Sequence, residues 1–148
     1  MIKILIIGKR GFIGNNLKIY LKKYFKVNHI SFSEIRKHKS KFSKFDYVIN
    51  TSMNKNYIKK KYNSKFDNDF KISNLIDNDR ANYIFLSSRK IYKSKGNIKE
   101  NSKLLPKSNY AKNKLITEKI LKKKIKKKTF NLKSLKCDRR QKFCTKNS

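Results

Sequence analysis

The spacing of apolar and polar residues along this chain changes its period several times, and each change predicts an element. Residues 2–7, Ile-Lys-Ile-Leu-Ile-Ile, form a nearly continuous aliphatic run that stops at Gly8. A short run apolar on both faces suits a central parallel strand covered by helices on either side. Beyond Gly8-Lys9-Arg10-Gly11-Phe12-Ile13-Gly14, residues Leu17, Tyr20, Leu21 and Tyr24 recur at helical spacing. Residues 27–32 read as a second strand, 37–44 as a basic loop and 45–50 as a third strand. A helix is predicted over 66–76, with Phe66, Phe70, Leu75 and Ile76 on one face, and a buried strand over 82–88 that ends in Ser87-Ser88. Residues 94–108 hold Gly96 and the single proline, Pro106, and read as a loop. From Asn109 a helix is expected to turn Ala111, Leu115, Ile116 and Ile120 inward. Strands alternating with helices predict right-handed βαβ units on a parallel sheet.

Length and charge narrow the class. The chain has 148 residues, enough for one domain. It carries 41 Lys+Arg against 9 Asp+Glu, a formal charge of +32. Such charge attracts phosphate and invites a nucleic-acid reading. However, only 6 of the basic residues are Arg and 35 are Lys, whereas base and phosphate recognition favours the planar Arg fork. Lys, Asn, Ile, Phe and Tyr make up 88 of the 148 residues, the usage an AT-rich genome imposes. Nucleic acid is therefore expected only as a non-specific, charge-driven partner. No apolar stretch approaches the roughly 18–20 residues of a membrane span, and no secretory signal pattern opens the chain; the expectation is a cytoplasmic protein with no membrane partner. Cys137 and Cys144 have no histidine near them, and neither a disulfide framework nor a zinc site has the residues it needs.

Three of the four glycines, Gly8, Gly11 and Gly14, lie within seven positions directly after the first strand. In a strand-turn-helix, glycines let the backbone approach a pyrophosphate, and the helix start offers free N–H groups and a positive dipole end. Gly8 would make the tight turn, Gly11 the close approach and Gly14 the helix-strand contact. The alternative is three ordinary loop and packing glycines. An acid that holds a ribose 2′-hydroxyl is expected about 20 residues further on. Glu34 is a late candidate for it, while Ser33 and Arg36 would suit a 2′-phosphate, so NAD and NADP both stay open.

Ser88 closes a strand at the edge where parallel sheets place ligands. Tyr110 and Lys114 lie four residues apart at the start of a helix and project from one face. An adjacent ammonium favours the phenolate, which can then take a proton from a substrate hydroxyl as hydride leaves for a nicotinamide, with Ser88 bonding the same oxygen. In a chain with 8 Tyr and 35 Lys the alternative is a chance surface pair.

Position decides for the first reading. Gly8-x-x-Gly11-Phe12-Ile13-Gly14, Ser87-Ser88-x-x-Ile91-Tyr92, Glu100, and Pro106-x-x-x-Tyr110-x-x-x-Lys114-x-x-x-Glu118 together resemble the NAD-dependent epimerase/dehydratase family, the extended short-chain dehydrogenases that act mainly on nucleotide sugars. The resemblance covers roughly residues 1–128. It implies an α/β fold, a Rossmann-like doubly wound parallel sheet, here incomplete at its C-terminal side. It also implies Ser88, Tyr110 and Lys114 as catalytic residues, with Lys114 holding the nicotinamide ribose as well, and a cofactor loop of Gly8, Gly11, Phe12, Ile13 and Gly14. A nucleotide sugar is the implied substrate, and a homodimer is compatible with it.

The chain departs from the family pattern at Ile7, where Thr is common, at Lys93, where Gly is common, and at Asn50-Thr51-Ser52, where small apolar residues are usual. Family members run to about twice this length, and the further half supplies most of the sugar pocket. Residues 129–148 are expected to be a basic tail, disordered or read out of frame after the lysine run 122–128, and turnover by this chain alone is in doubt. A basic nucleic-acid-binding protein without enzymatic activity and an inactive remnant are the competing expectations. His29 and His38 read as ordinary strand and loop residues. Asp67, Asp69, Asp77 and Asp79 read as charge balance in a lysine-rich chain rather than a metal site.

Overall fold

The computed structural model describes residues 1–76, 81–93, 98–99, 101–126 and 133–135, with side chains for all of these except 36, 38–41, 125–126 and 133–135. Among the described residues five parallel strands form one sheet: β1 (Lys3–Ile7), β2 (Lys26–Ile30), β3 (Tyr47–Asn50), β4 (Asn82–Leu86) and β5 (Lys133–Leu135), in the order β2-β1-β3-β4-β5. This is one of the two common doubly wound orders, and the chain reverses its direction of winding between β1 and β3. The α-helices of the described residues that connect and cover the strands are α1 (Phe12–Leu21), α2 (Lys55–Lys59), α3 (Asn68–Leu75) and α4 (Asn109–Lys126).

Alternation along β1 explains why the sheet is covered twice. Leu5 and Ile7 join Ile30, Ile35, Phe42, Val48, Ile72, Tyr83, Phe85 and Leu121 in a core on the side of α3 and α4. Ile4 and Ile6 point the other way, packing with Ile49 against Leu17, Leu21 and Phe25 of α1 and its exit. Leu5, Ile6 and Ile7 are at most 1% exposed, and each such burial contributes about 1.5–3 kcal/mol. On the α1 side the cover thins toward β4, where Ile84 and Leu86 remain half-buried.

Several expectations need correction. β2 ends at Ile30 rather than at residue 32, because Ser31 and Glu34 form a capping box that starts a 3-10 stretch, Phe32–Lys44. The expected basic loop is the second half of that stretch, held by buried Ile35 and Phe42. The single helix expected over 66–76 is a 3-10 turn, Ser64–Phe66, followed by α3, which Asp67 caps by accepting the Phe70 N–H at 3.0 Å. Its buried residues are Asn68, Asp69, Ile72 and Ser73; of the residues expected to face inward, Ile76 is buried and Leu75 packs against the core, whereas Phe66 and Phe70 are only half-buried. The largest discrepancy is in α4. Ala111 and Leu121 are buried as apolar spacing requires, but between them the inward face carries Asn113, Lys114, Thr117 and Glu118, while Ile116 is 37% exposed. Of the segment expected as a tail, Lys133–Leu135 forms β5 beside β4. Asp77, Asp79, Gly96, Glu100, Cys137 and Cys144 lie outside the described residues.

Candidate functional site

At the switch point, the carboxyl ends of β1 and β3 meet the first glycine bend. Gly8 has φ +127°, a conformation that favours glycine. Its N–H donates to the Ile30 carbonyl at 2.8 Å, and its own carbonyl accepts the Gly11 N–H at 3.0 Å. A Cβ at Gly8 would fall 2.9 Å from the Ser52 nitrogen and against Thr51 Oγ1, and one at Gly14 would fall 2.6 Å from the Gly8 oxygen. Thr51 sits under the bend because both its N–H and its hydroxyl donate to the Ile7 carbonyl, at 2.8 and 2.9 Å. Gly8 and Gly14 are thus required by the packing of α1 on β1 and β3.

Gly11 differs from both. It caps α1 with ordinary extended dihedrals and no side-chain cap, and a Cβ there would meet only the Gly8 oxygen at 3.5 Å and the Thr51 oxygen at 4.0 Å. The first intrahelical bond of α1 is donated by Asn15 to Gly11, leaving the N–H groups of Phe12, Ile13 and Gly14 without acceptors among the described residues. No acid lies in that first turn. Phe12 is 84% and Ile13 50% exposed beside it. This arrangement fits an anionic phosphate group.

At the end of β2, Glu34 Oε2 accepts from both the N–H and the hydroxyl of Ser31, each at 2.6 Å. That oxygen serves the capping box. Ser33 is exposed, and its hydroxyl lies 2.9 Å from that of Ser31. The side chain of Arg36 lies outside the described residues.

The helix bearing Tyr110 and Lys114 packs along the end of β4. Ser87 donates to Glu118 Oε2 at 3.0 Å, Lys122 donates to Glu118 Oε1 at 2.7 Å, and the Lys114 ammonium lies 4.5 Å from the centre of the Phe85 ring. Ser88 accepts the Lys90 N–H at 3.3 Å and caps the 3-10 turn Arg89–Ile91. Tyr110 is half-buried in the first turn of α4, and its hydroxyl has no hydrogen-bond partner among the described residues. Tyr110 and Lys114 therefore share the helix start at the same edge of the sheet as the glycine bend, with Ser88 at the end of the neighbouring strand.

Lys114 also belongs to a buried polar network, in which Asp67 and Asp69 do more than balance surface charge. Its ammonium lies 3.2 Å from Asp69 Oδ2, and both side chains are about 95% buried, at 5% and 6% exposure. Asp69 Oδ1 accepts from the Tyr83 hydroxyl at 2.6 Å and from Asn50 Nδ2 at 2.8 Å. Asn50 Oδ1 in turn accepts from the N–H and hydroxyl of Ser52, and Asn68 donates to that hydroxyl at 3.1 Å. A second branch runs through Asp67, whose Oδ2 accepts from Thr117 at 2.6 Å and Tyr62 at 3.1 Å. The Thr117 hydroxyl also lies 2.6 Å from that of Tyr57 and 3.0 Å from the Asn113 carbonyl. Burial raises the Asp67 carboxyl above its usual range, partly offset by the Thr117 bond, and burial likewise raises the Tyr57, Tyr62 and Tyr83 phenols. A narrow pocket lined by Ser52, Met53, Asn54, Tyr57, Asp69 and Lys114 opens beside this network.

No family model matches the chain, and no curated protein sequence does. Solved structures do match its backbone. The dTDP-glucose 4,6-dehydratase of Bacillus anthracis str. Ames, in complex with NAD, superposes with a TM-score of 0.74 at 16% identity, over 93% of this chain and 54% of that one. The UDP-glucose 4-epimerase of Thermus thermophilus, also with NAD, gives 0.72 at 15% identity, over 91% and 54%. The UDP-N-acetylglucosamine 4-epimerase of Bacillus cereus gives 0.71 at 20% identity, over 92% and 53%. The fold is thus Rossmann-like and doubly wound, and the chain spans about half the length of the structures it matches. No helix among the described residues is long and apolar enough to cross a membrane.

Proposed function

We propose that this chain is the cofactor-binding part of an NAD(P)-dependent oxidoreductase acting on nucleotide sugars, of the epimerase, dehydratase or reductase kind. The observation that carries the reading is the open start of α1: Gly11 is a glycine although its own chain leaves room for a Cβ, and three amides beside it lack acceptors among the described residues. A group from outside the chain accounts for both. The dinucleotide pyrophosphate would lie on Gly8, Gly11 and the amides of Phe12, Ile13 and Gly14. Ser33 and Arg36 would meet the adenosine ribose, with or without its 2′-phosphate.

The nicotinamide supplies hydride transfer when bound. Lys114, held on its other side by the Asp69 carboxylate 3.2 Å away, would donate to its ribose. Tyr110 would take the proton from a sugar hydroxyl, and Ser88 would hold the same oxygen. The neighbours named for dTDP- or UDP-sugars, two of them solved with NAD, support this substrate class.

Titration with NADH and NADPH, followed by nicotinamide fluorescence at physiological salt, tests the reading. Saturable binding that Gly11→Ala weakens is expected. Binding that is absent, or that salt abolishes equally in both proteins, would refute it, since charge attraction alone is salt-sensitive and independent of Gly11.

A further inference from the structure

We propose that Asp69 is a positioning residue that acts through Lys114, fixing where the ammonium sits and so what it offers to a bound dinucleotide. The inference rests on the function proposed above. Five contacts argue for it. The ammonium is buried between a carboxylate oxygen 3.2 Å away and the faces of Phe85 and Tyr57, 4.5 and 6.0 Å from their ring centres. Among the described residues Asp69 is its sole hydrogen-bond acceptor, which leaves two of its three N–H donors for other acceptors. Asp69 is itself held at its other oxygen by Tyr83 from β4 and Asn50 from the end of β3. The carboxylate is thus clamped from two adjacent strands, by Tyr83 near the start of β4 and Asn50 at the end of β3, and it passes that position on to the lysine.

A buried ammonium has few places to rest, since each must supply an opposite charge or acceptors. Without the carboxylate, Lys114 has no reason to stay beside the pocket. The groups facing it are Asp69 and Asn68 from α3, Asp67 from the residue before α3, Tyr57 from α2, Phe85 from β4 and Thr117 and Glu118 from its own helix. Of these, Asp67 is engaged by Thr117 and Tyr62, and Glu118 by Ser87 and Lys122. Neither carboxylate replaces Asp69 without breaking its own bonds.

The test is a double-mutant cycle on NADH affinity with Asp69→Asn, Lys114→Met and the pair together, each first checked for native far-UV circular dichroism. Asp69→Asn should weaken NADH binding about ten-fold in the native background, the loss of one charge-assisted contact. In the Lys114→Met background it should change binding less than about two-fold, because the residue through which it acts is gone. Equal, additive losses in both backgrounds would show a merely structural role and overturn the assignment. Where Asp69→Asn fails to fold, Tyr83→Phe replaces it. That variant removes one of the two bonds holding Asp69 while keeping the charge, and its smaller loss should likewise vanish without Lys114. If the unmodified chain binds no NADH, the proposed function falls and this inference with it. If it binds and the losses are additive, only the role of Asp69 falls.

Discussion

Gly11 and Gly14 lie three residues apart in one bend, yet alanine at each should have opposite consequences. At Gly14, a Cβ would stand 2.6 Å from the Gly8 carbonyl oxygen, 2.7 Å from Thr51 Oγ1 and 3.0 Å from His29 Nε2. Neither oxygen is free to withdraw: the carbonyl accepts from Gly11 at 3.0 Å, and the threonine hydroxyl donates to Ile7 at 2.9 Å. Relieving the overlap pushes α1 away from the sheet, with the cost of an overpacked core, about 1–3 kcal/mol. Alanine recovers about 1 kcal/mol through its better helix propensity. Because the nearest clash is with backbone, the overpacking cost falls in the upper part of its range, and the net loss should reach about 1–2 kcal/mol, a fall of roughly 3–6 °C in Tm for a chain of this size. At Gly11 the nearest atoms are 3.5 and 4.0 Å away, and exchanging a glycine cap for alanine costs less than about 1 kcal/mol. Its effect should fall on NADH affinity, weakened at least about ten-fold. Urea unfolding and fluorescence titration of the two variants measure both quantities. The reasoning is refuted if Gly14→Ala matches or exceeds the native stability, or if Gly11→Ala binds NADH as well as the native chain.

Burial raises Asp67, so between the usual carboxylate value and the raised one the folded chain holds a proton that the unfolded chain has released, and stability falls as pH rises through that window. Asp67→Asn should remove this slope, and urea midpoints measured from about pH 4 to pH 8 should converge with the native values at the acid end; a constant offset across the range would refute it. Ser87→Ala leaves the buried Glu118 Oε2 without its donor and should cost about 1–3 kcal/mol. Lys122→Ala removes a bond from a side chain that is 60% exposed and should change stability by less than about 0.5 kcal/mol; equal effects in chemical denaturation would contradict the burial argument. Ile72→Ala should cost about 2–5 kcal/mol at a position with 0% exposure, read from the same unfolding curves.

The apolar strands and the glycine bend were legible in the sequence because continuous aliphatic runs and a glycine cluster are local signals. Residues 2–7 predict β1 to within one residue, and Gly8, Gly11 and Gly14 lie where a strand turns into a helix. The inward face of α4 was not legible. Helical periodicity marks apolar positions, and it pointed to Leu115 and Ile116, whereas the buried side chains are Asn113, Lys114, Thr117 and Glu118. These are buried only because hydrogen-bond partners elsewhere in the chain meet them: Asp69, which accepts from Lys114, is 45 residues before it, Asp67, which accepts from Thr117, is 50 before it, and Ser87, which donates to Glu118, is 31 before it. Among 35 lysines nothing local separates a buried one from the rest. A local hint lies at the start of α3, where Asp67 occupies the cap and Asp69 lies in the first turn. Similarly, the Ser31 and Glu34 spacing carries a capping-box signal, the role that Glu34 takes in the structure.

The central claim is that a dinucleotide lies across the bend after β1 and reaches toward the start of α4. The measurement that tests it most directly is the change in backbone amide NMR signals of the full chain as NADH is added at physiological salt. Saturable shifts should concentrate at Gly8 to Gly14, at Thr51 and Ser52, and at Tyr110 to Lys114. Shifts spread evenly over the exposed lysine-bearing segments, or confined to the opposite edge of the sheet, would contradict it.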